Sequence, residues 1–195
     1  MRREPLSIAV SLACSITMMG WIVWSERPAP AARSGVASPT ATGDQDAAAG
    51  QALDESRAAE LRGRAEGNPD DVESRVALGN LYFDGHRFDQ AIPWYEQALA
   101  LVPDNVNVST DLGVSYYYVR QPGRAVAQFE QSLEVDPLHA RTHLSLGIIR
   151  AFGLQDLDGA QTAWERVIEI APDTAEALAA RDALDRMEAA HGSEA

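Results

Sequence analysis

A proline recurs at a nearly constant interval along this sequence and limits what the chain can fold into. The spacings between successive members are 34, 34 and 35 residues, for Pro69, Pro103, Pro137 and Pro172. A fixed period in this range is typical of stacked supersecondary units, each of which buries its apolar face on its neighbours. The sequence therefore predicts an array of repeated units.

Small residues recur inside each interval. The glycines are Gly79, Gly113 and Gly147, and the alanines are Ala91, Ala125 and Ala160. Apolar residues around them follow the spacing of an α-helix. A glycine inside a helix costs about 1 kcal/mol relative to alanine, so its recurrence indicates two helices in close contact. We expect all-α helix-turn-helix units, in which larger side chains fill the space between turns: Tyr95, Phe129 and Trp164.

These positions resemble the tetratricopeptide repeat, whose motif is W-x2-L-G-x2-Y, then A-x3-F, then P. The matching repeats are residues 72–105, 106–139 and 140–174. The motif tryptophan is replaced by Arg75, Ser109 and His143, and Arg150 replaces the tyrosine of the third repeat. The resemblance implies an α-solenoid of three repeats. Helices at about 52–66 and 174–190 would cap it, within a domain over residues 51–190.

In this family the first helix of each repeat lines a concave groove. Carried over position by position, the resemblance places the following residues there: Val76, Asn80, Phe83, Thr110, Val114, Tyr117, Tyr118, Arg141, Leu144, Ile148 and Phe152. This strip is apolar and aromatic with a few polar groups, as expected of a peptide-binding surface. Tyr116, by contrast, holds the core tyrosine position. The alternative for Tyr117 and Tyr118 is packing on a neighbouring helix or on the preceding linker.

The same register indicates which ligand to expect. Some family members hold the terminal carboxylate of chaperones with a clamp of positive and amide side chains. Here Val76 replaces the first positive residue of that clamp, and Asp111 stands where an amide belongs. Arg141 alone keeps a useful positive charge. Because Asp111 would repel a carboxylate, we expect an apolar or amphipathic segment of a partner protein instead.

The amino terminus carries an uncharged apolar run at residues 5–25. Nineteen of these residues would span roughly 28 Å as a helix at about 1.5 Å per residue, close to the thickness of a bilayer core. Two arginines precede the run and two tryptophans end it. The pattern predicts one transmembrane helix within residues 1–25, with the body exported. A cleaved signal peptide and a lipid anchor on Cys14 are the alternatives.

Residues 26–50 are rich in Pro, Ala, Ser, Thr and Gly, which predicts a disordered linker. The whole chain has 29 acidic and 16 basic residues, a formal net charge of −13. Such a charge repels phosphate backbones, so we expect no nucleic-acid partner. The oligomeric state stays open.

Chemistry-bearing motifs are sparse in this sequence. His139 and His143 have a helical spacing that could hold zinc, but a third ligand is lacking. We therefore expect no metal, no cofactor and no enzymatic activity. The leading hypothesis is a protein-interaction scaffold on the periplasmic side of a bacterial inner membrane. It resembles the repeat-bearing subunits of bacterial cytochrome c-type biogenesis. The alternative hypothesis is a structural assembly factor for a pilus or secretion complex.

Overall fold

The structure, a computed structural model, describes residues 54–192. Its helices, in chain order, are α1 (Glu55–Gly67), α2 (Val72–Asp84), α3 (Phe88–Leu101), α4 (Val106–Tyr118), α5 (Pro122–Val135), α6 (Ala140–Ile149), a π-helix (Arg150–Leu154), α7 (Leu157–Ile170) and α8 (Ala175–Gly192). Residues 54–192 contain no strand, which confirms the all-α prediction for this range.

The predicted membrane helix and linker, at residues 1–25 and 26–50, lie outside the described residues. Within 54–192, none of the helices combines the length and the apolar character that crossing a bilayer requires.

The helices pack as antiparallel neighbours in sequence order. α2 pairs with α3, α4 with α5, and α6 with α7, while α1 covers α2 and α8 covers α7. We call α2, α4 and α6 the inner helices, and α3, α5 and α7 the outer helices. α4 contacts both other inner helices, whereas successive outer helices lie further apart. The array therefore curves with the inner helices on its concave side.

The glycine of each inner helix lies under an aromatic ring of its outer partner: Gly79 under Tyr95, Gly113 under Phe129 and Gly147 under Trp164. A Cβ atom placed on Gly113 would lie 2.5 Å from Cε1 of Phe129, closer than real Cβ contacts come. Phe129 is fully buried. The recurring glycine is thus required because a ring occupies the space that a side chain would need.

A polar contact joins α4 to the outer helix that precedes it, and a similar contact joins the π-helix after α6 to α5. Tyr116 donates from its hydroxyl to Oε1 of Glu96 at 2.6 Å. Burial, together with that carboxylate, raises the pKa of Tyr116 to about 12. Arg150, which stands at the equivalent position of the third repeat, donates to Oε1 of Glu130 at 3.1 Å. The departure from the motif tyrosine therefore keeps the contact and changes only its chemistry.

Another departure from the motif has a structural role at the beginning of the array. Arg75, at the first tryptophan position, is 8% exposed. It donates from Nη2 to the carbonyl oxygen of Ala65 at 3.0 Å and from Nη1 to that of Asp71 at 2.8 Å. The last carbonyls of a helix lack intrahelical partners, so Arg75 satisfies one of them in α1 and holds α2 against it.

Candidate peptide-binding surface

The concave surface is formed by the side chains that the inner helices turn away from the outer helices. Seven of the eleven predicted residues keep some exposure: Val76, Asn80, Tyr117, Tyr118, Arg141, Ile148 and Phe152. The other four are buried: Phe83 at 6% exposure, Thr110 and Val114 at 0%, and Leu144 at 1%. These four have no surface to offer a ligand in this conformation, so the strip is narrower than the register predicted.

The position of Thr110 shows one physical reason for this difference. Its Oγ1 lies 2.6 Å from Oγ1 of Thr142, which joins α4 directly to α6. Thr110 also donates to the carbonyl oxygen of Val106. A repeat register indicates which way a side chain points, but it does not show how closely two inner helices approach. Thr110 is therefore part of a helix contact, which the sequence did not reveal.

A chain of hydrogen bonds extends from this contact to the turn before α6. Each hydroxyl has one proton, and because Thr110 donates to a carbonyl, Thr142 must donate to Thr110. His139 Nδ1 lies 2.6 Å from Oγ1 of Thr142 and then acts as the donor. Burial lowers the pKa of His139, and the nearby charge of Arg141 lowers it further. The folded interface thus favours a neutral histidine protonated on Nδ1.

Beside these threonines, an ion pair crosses the concave surface. Nη2 of Arg141 donates to Oδ1 of Asp111, and the two side chains are only 10% and 8% exposed. The pair joins α4 to α6. The charge of Arg141, which the register offered to a ligand, is therefore compensated within the protein.

The three consecutive tyrosines of α4 have different surroundings. Tyr116 makes the polar contact with Glu96 described above. Tyr118 stacks on Phe88 of the outer helix α3, with ring centroids 4.1 Å apart and planes 6° from parallel. Tyr117 meets Tyr118 edge-on at 5.8 Å. Tyr118 thus packs on a neighbouring helix, which was the alternative for it, and burial raises the pKa of both half-buried tyrosines.

The π-helix extends the aromatic contacts to the third repeat. A Cβ atom on Gly153 would lie 3.0 Å from Cβ of Pro122 and 3.1 Å from Cε2 of Tyr117. Phe88 and Pro122 begin their outer helices 34 residues apart. Phe88 contacts Tyr118 at the end of α4, and Pro122 lies beside Gly153 of the π-helix that follows α6. Sequence reasoning missed Phe88 in this role, although its equivalence with Pro122 is a signal that could have revealed it.

The two histidines with helical spacing are engaged separately. His139 bonds to Thr142, and Nε2 of His143 lies 3.0 Å from the carbonyl oxygen of Pro137. Across residues 54–192 there is no group of three or more His, Cys, Asp and Glu side chains that could hold a metal ion. The structure therefore gives no metal-binding arrangement to interpret in that range.

Comparisons with known proteins agree with this architecture. Residues 79–118 match a family model described as TPR repeat, and residues 110–173 match one described as tetratricopeptide repeat. Residues 79–173, which run from within α2 to just beyond the end of α7, therefore match tetratricopeptide repeat models. No curated protein sequence matches the chain.

Solved structures share the fold at low sequence identity. A crystal structure of MamA has a TM-score of 0.57 at 20% identity, over 59% of this chain and 67% of that chain. The first TPR domain of human RPAP3 has a TM-score of 0.57 at 25% identity, over 65% and 96%. The first TPR of Spaghetti (RPAP3), bound to the HSP90 peptide SRMEEVD, has a TM-score of 0.57 at 23% identity, over 64% and 96%.

Proposed function

We propose that this chain is a non-enzymatic, membrane-tethered scaffold whose concave surface binds an apolar or amphipathic segment of a partner protein. The fold supports the general part of this proposal, because tetratricopeptide repeats are interaction modules. The charges and the exposed side chains of the concave surface support the particular ligand class, an apolar or amphipathic segment.

The ion pair between Asp111 and Arg141 is the main reason for expecting an apolar or amphipathic ligand and not an acidic tail. A terminal carboxylate needs an uncompensated positive charge to replace its hydration. In this chain Arg141 is already paired and largely buried, and Asp111 would add repulsion. An acidic tail such as the HSP90 peptide held by the RPAP3 relative is therefore a poor ligand for this surface.

The exposed members of the strip favour a less charged ligand. Val76, Tyr117 and Ile148 offer apolar area, and Asn80 adds an amide. Half-exposed aromatic and aliphatic side chains with an occasional polar group are typical of interface centres. A partner helix or unfolded segment with apolar residues along one side has the matching chemistry.

The cellular setting is proposed from the sequence. The uncharged run at residues 5–25 supports a single membrane helix, and the flanking arginines support a body on the periplasmic side of a bacterial inner membrane. Envelope protein assembly is the proposed process. The resemblance to repeat-bearing subunits of cytochrome c-type biogenesis makes an unfolded apocytochrome the first partner to test.

Replacing Asp111 by Asn tests the choice of ligand. The wild-type protein is expected to bind an amphipathic apolar peptide and to bind an acidic peptide with a free carboxyl terminus much more weakly. Asp111→Asn should raise affinity for the acidic peptide by about tenfold, because it removes the negative charge that repels the peptide at this surface. Fluorescence anisotropy with labelled peptides and the full chain measures both affinities.

Asp104→Asn, at an exposed turn, is the matched control, because it removes the same charge away from Arg141. Asp104→Asn should leave the preference for the apolar peptide over the acidic peptide unchanged. Tight binding of the acidic peptide by the wild-type protein would contradict the proposed ligand class.

The alternative, a structural assembly factor for a pilus or secretion complex, is favoured by a separate observation. Two surface depressions lie where the motif tryptophan is missing. One of about 440 Å³ lies between α6 and α7 beside His143, and one of about 340 Å³ lies between α3, α4 and α5 beside Ser109. A partner held there would bind outside the concave surface. Stable co-purification that survives changes to Tyr117 and Ile148 would favour this alternative.

A further inference from the structure

The turn that contains the π-helix exposes an unusual group of apolar side chains. Phe152, Leu154 and Leu157 are 57%, 44% and 39% exposed and lie within six residues of each other in sequence. Gln155, with a φ of 57°, turns the chain between them. We call these three residues the apolar cluster. It is the largest group of exposed large apolar side chains that lie close together in sequence within residues 54–192.

The apolar cluster continues the aromatic contacts of the neighbouring turns. Phe88 and Tyr118 stack on each other, Tyr117 meets Tyr118 edge-on, and Gly153 of the π-helix approaches Tyr117. All of these residues lie where an inner helix ends or the next outer helix begins. These turns lie along one edge of the array, which we call the turn edge.

Helix α1 begins at the turn edge. The described residues begin at Asp54, and Oε1 of Glu55 lies 2.6 Å from Nη1 of Arg87, the residue before Phe88. The part of the chain that the structure describes therefore begins beside the aromatic end of the turn edge.

We infer that the turn edge rests on the lipid surface of the membrane, with the apolar cluster entering the interface. This inference depends on the membrane tether of the proposed function. Tyrosine and phenylalanine favour the membrane interface, where apolar and aqueous surroundings lie side by side. The linker predicted at residues 26–50 has 25 residues, and a random coil of this length typically reaches about 25 to 30 Å. At such distances the effective concentration is on the order of millimolar, so a small apolar surface suffices for docking.

Charge argues for neutral lipid rather than a second copy of the chain. Residues 51–195 contain 25 acidic side chains and 12 arginines, so two copies repel each other. Asp156 and Asp158 lie beside the apolar cluster itself. Docking is therefore expected to be stronger on phosphatidylcholine than on membranes rich in anionic phosphatidylglycerol, with a larger difference at low salt.

Quenching by brominated lipid tests the inference in the full chain. The background variant is Cys14→Ser, which removes the native cysteine. In this background, Asp158→Cys places an environment-sensitive fluorophore beside the apolar cluster. Asp104→Cys places the same fluorophore in the turn between α3 and α4, on the edge of the array opposite the turn edge. The chain is reconstituted into phosphatidylcholine vesicles with brominated acyl chains. The probe at position 158 should be quenched several-fold more than the probe at 104.

Two double variants show whether the apolar cluster causes the quenching of the probe at position 158. Leu154→Ser with Leu157→Ser should reduce quenching at position 158 to the level seen at 104. Val135→Ser with Leu138→Ser, which removes exposed apolar side chains elsewhere, should leave it unchanged.

The remaining outcomes separate this inference from the proposed function. Equal quenching at positions 158 and 104, in a chain that floats with the vesicles, would overturn the docking alone. A blue-shifted probe at 158 that brominated lipid does not quench would show that a protein surface covers the cluster, and would also overturn it. A chain that fails to float with the vesicles would overturn the tether and the docking together.

Discussion

Among single residues, the glycines of the inner helices have the most sharply defined surroundings. Gly113→Ala would place a methyl group 2.5 Å from Cε1 of Phe129, whose ring is fully buried. Either the ring or the helix must move, so we expect a loss of about 1 to 3 kcal/mol in the free energy of unfolding. Denaturant titration followed by circular dichroism measures this loss.

Gly123→Ala is the matched control, because a Cβ on this α5 glycine meets nothing within 4 Å. It should be neutral or stabilising by about 0.5 to 1 kcal/mol, as is usual for alanine replacing glycine in a helix. Equal stability of the two variants would show that the ring does not require the glycine.

The sequence predicted which small residues recur. It did not predict the hydrogen-bond partners of residues that depart from the motif. The period identified the glycines, because only close contact explains their repetition. Arg75 and Arg150 were departures in the motif comparison. Their acceptors, on Ala65 and Glu130, lie 10 and 20 residues earlier in the chain. Such pairings depend on how adjacent helices are rotated, which a one-dimensional motif does not contain.

Between helices, the contact of α4 with α6 should make stability depend on pH. The folded pKa of His139 is lowered, chiefly by burial and then by Arg141, although Asp136 and Asp111 oppose this. The unfolded state therefore binds a proton first as pH falls below about 6.5. Stability should be fully present above that pH and should decline as pH falls toward the folded pKa.

His139→Asn tests this dependence, since the amide can still donate to Thr142 but does not titrate. The variant should lose less stability than the wild-type protein between neutral and mildly acidic pH, in denaturant titrations at several pH values. His86→Asn, at an exposed turn residue away from the contact of α4 with α6, is the control. Parallel curves of stability against pH for wild-type and His139→Asn would contradict this role of the part-buried His139.

The concave surface was only partly predictable at this level. The register identified inner-helix positions, and Val76, Asn80, Tyr117 and Ile148 keep exposure there. Thr110, Val114 and Leu144 do not, because burial depends on the distance between inner helices, which no residue pattern encodes. Phe88 lies on an outer helix, outside the predicted strip, yet it determines what Tyr118 contacts.

For the full array, stability should depend on the terminal helix α8. Ala177 of α8 is fully buried, whereas the adjacent Leu178 is 63% exposed. Ala177→Glu would bury a charge and should cost more than about 2 kcal/mol. Because repeats mainly contact their neighbours, the loss should appear first as faster hydrogen exchange in α7 and α8, with α2 and α3 least affected.

Leu178→Glu, which places the same charge one residue later, should leave exchange in α7 unchanged. Uniform acceleration across all helices in Ala177→Glu would indicate a single cooperative unit rather than neighbour-coupled repeats.

The concave surface is the proposed side that receives a partner segment. A photo-reactive residue introduced at Ile148 in the full chain, compared with one at the exposed Leu138 outside that surface, tests this directly in cells. We predict crosslinks to a partner protein from position 148 that weaken when Tyr117 is replaced by Ala, and none to that partner from position 138. Crosslinks to the partner from position 138 but not from 148 would contradict the account.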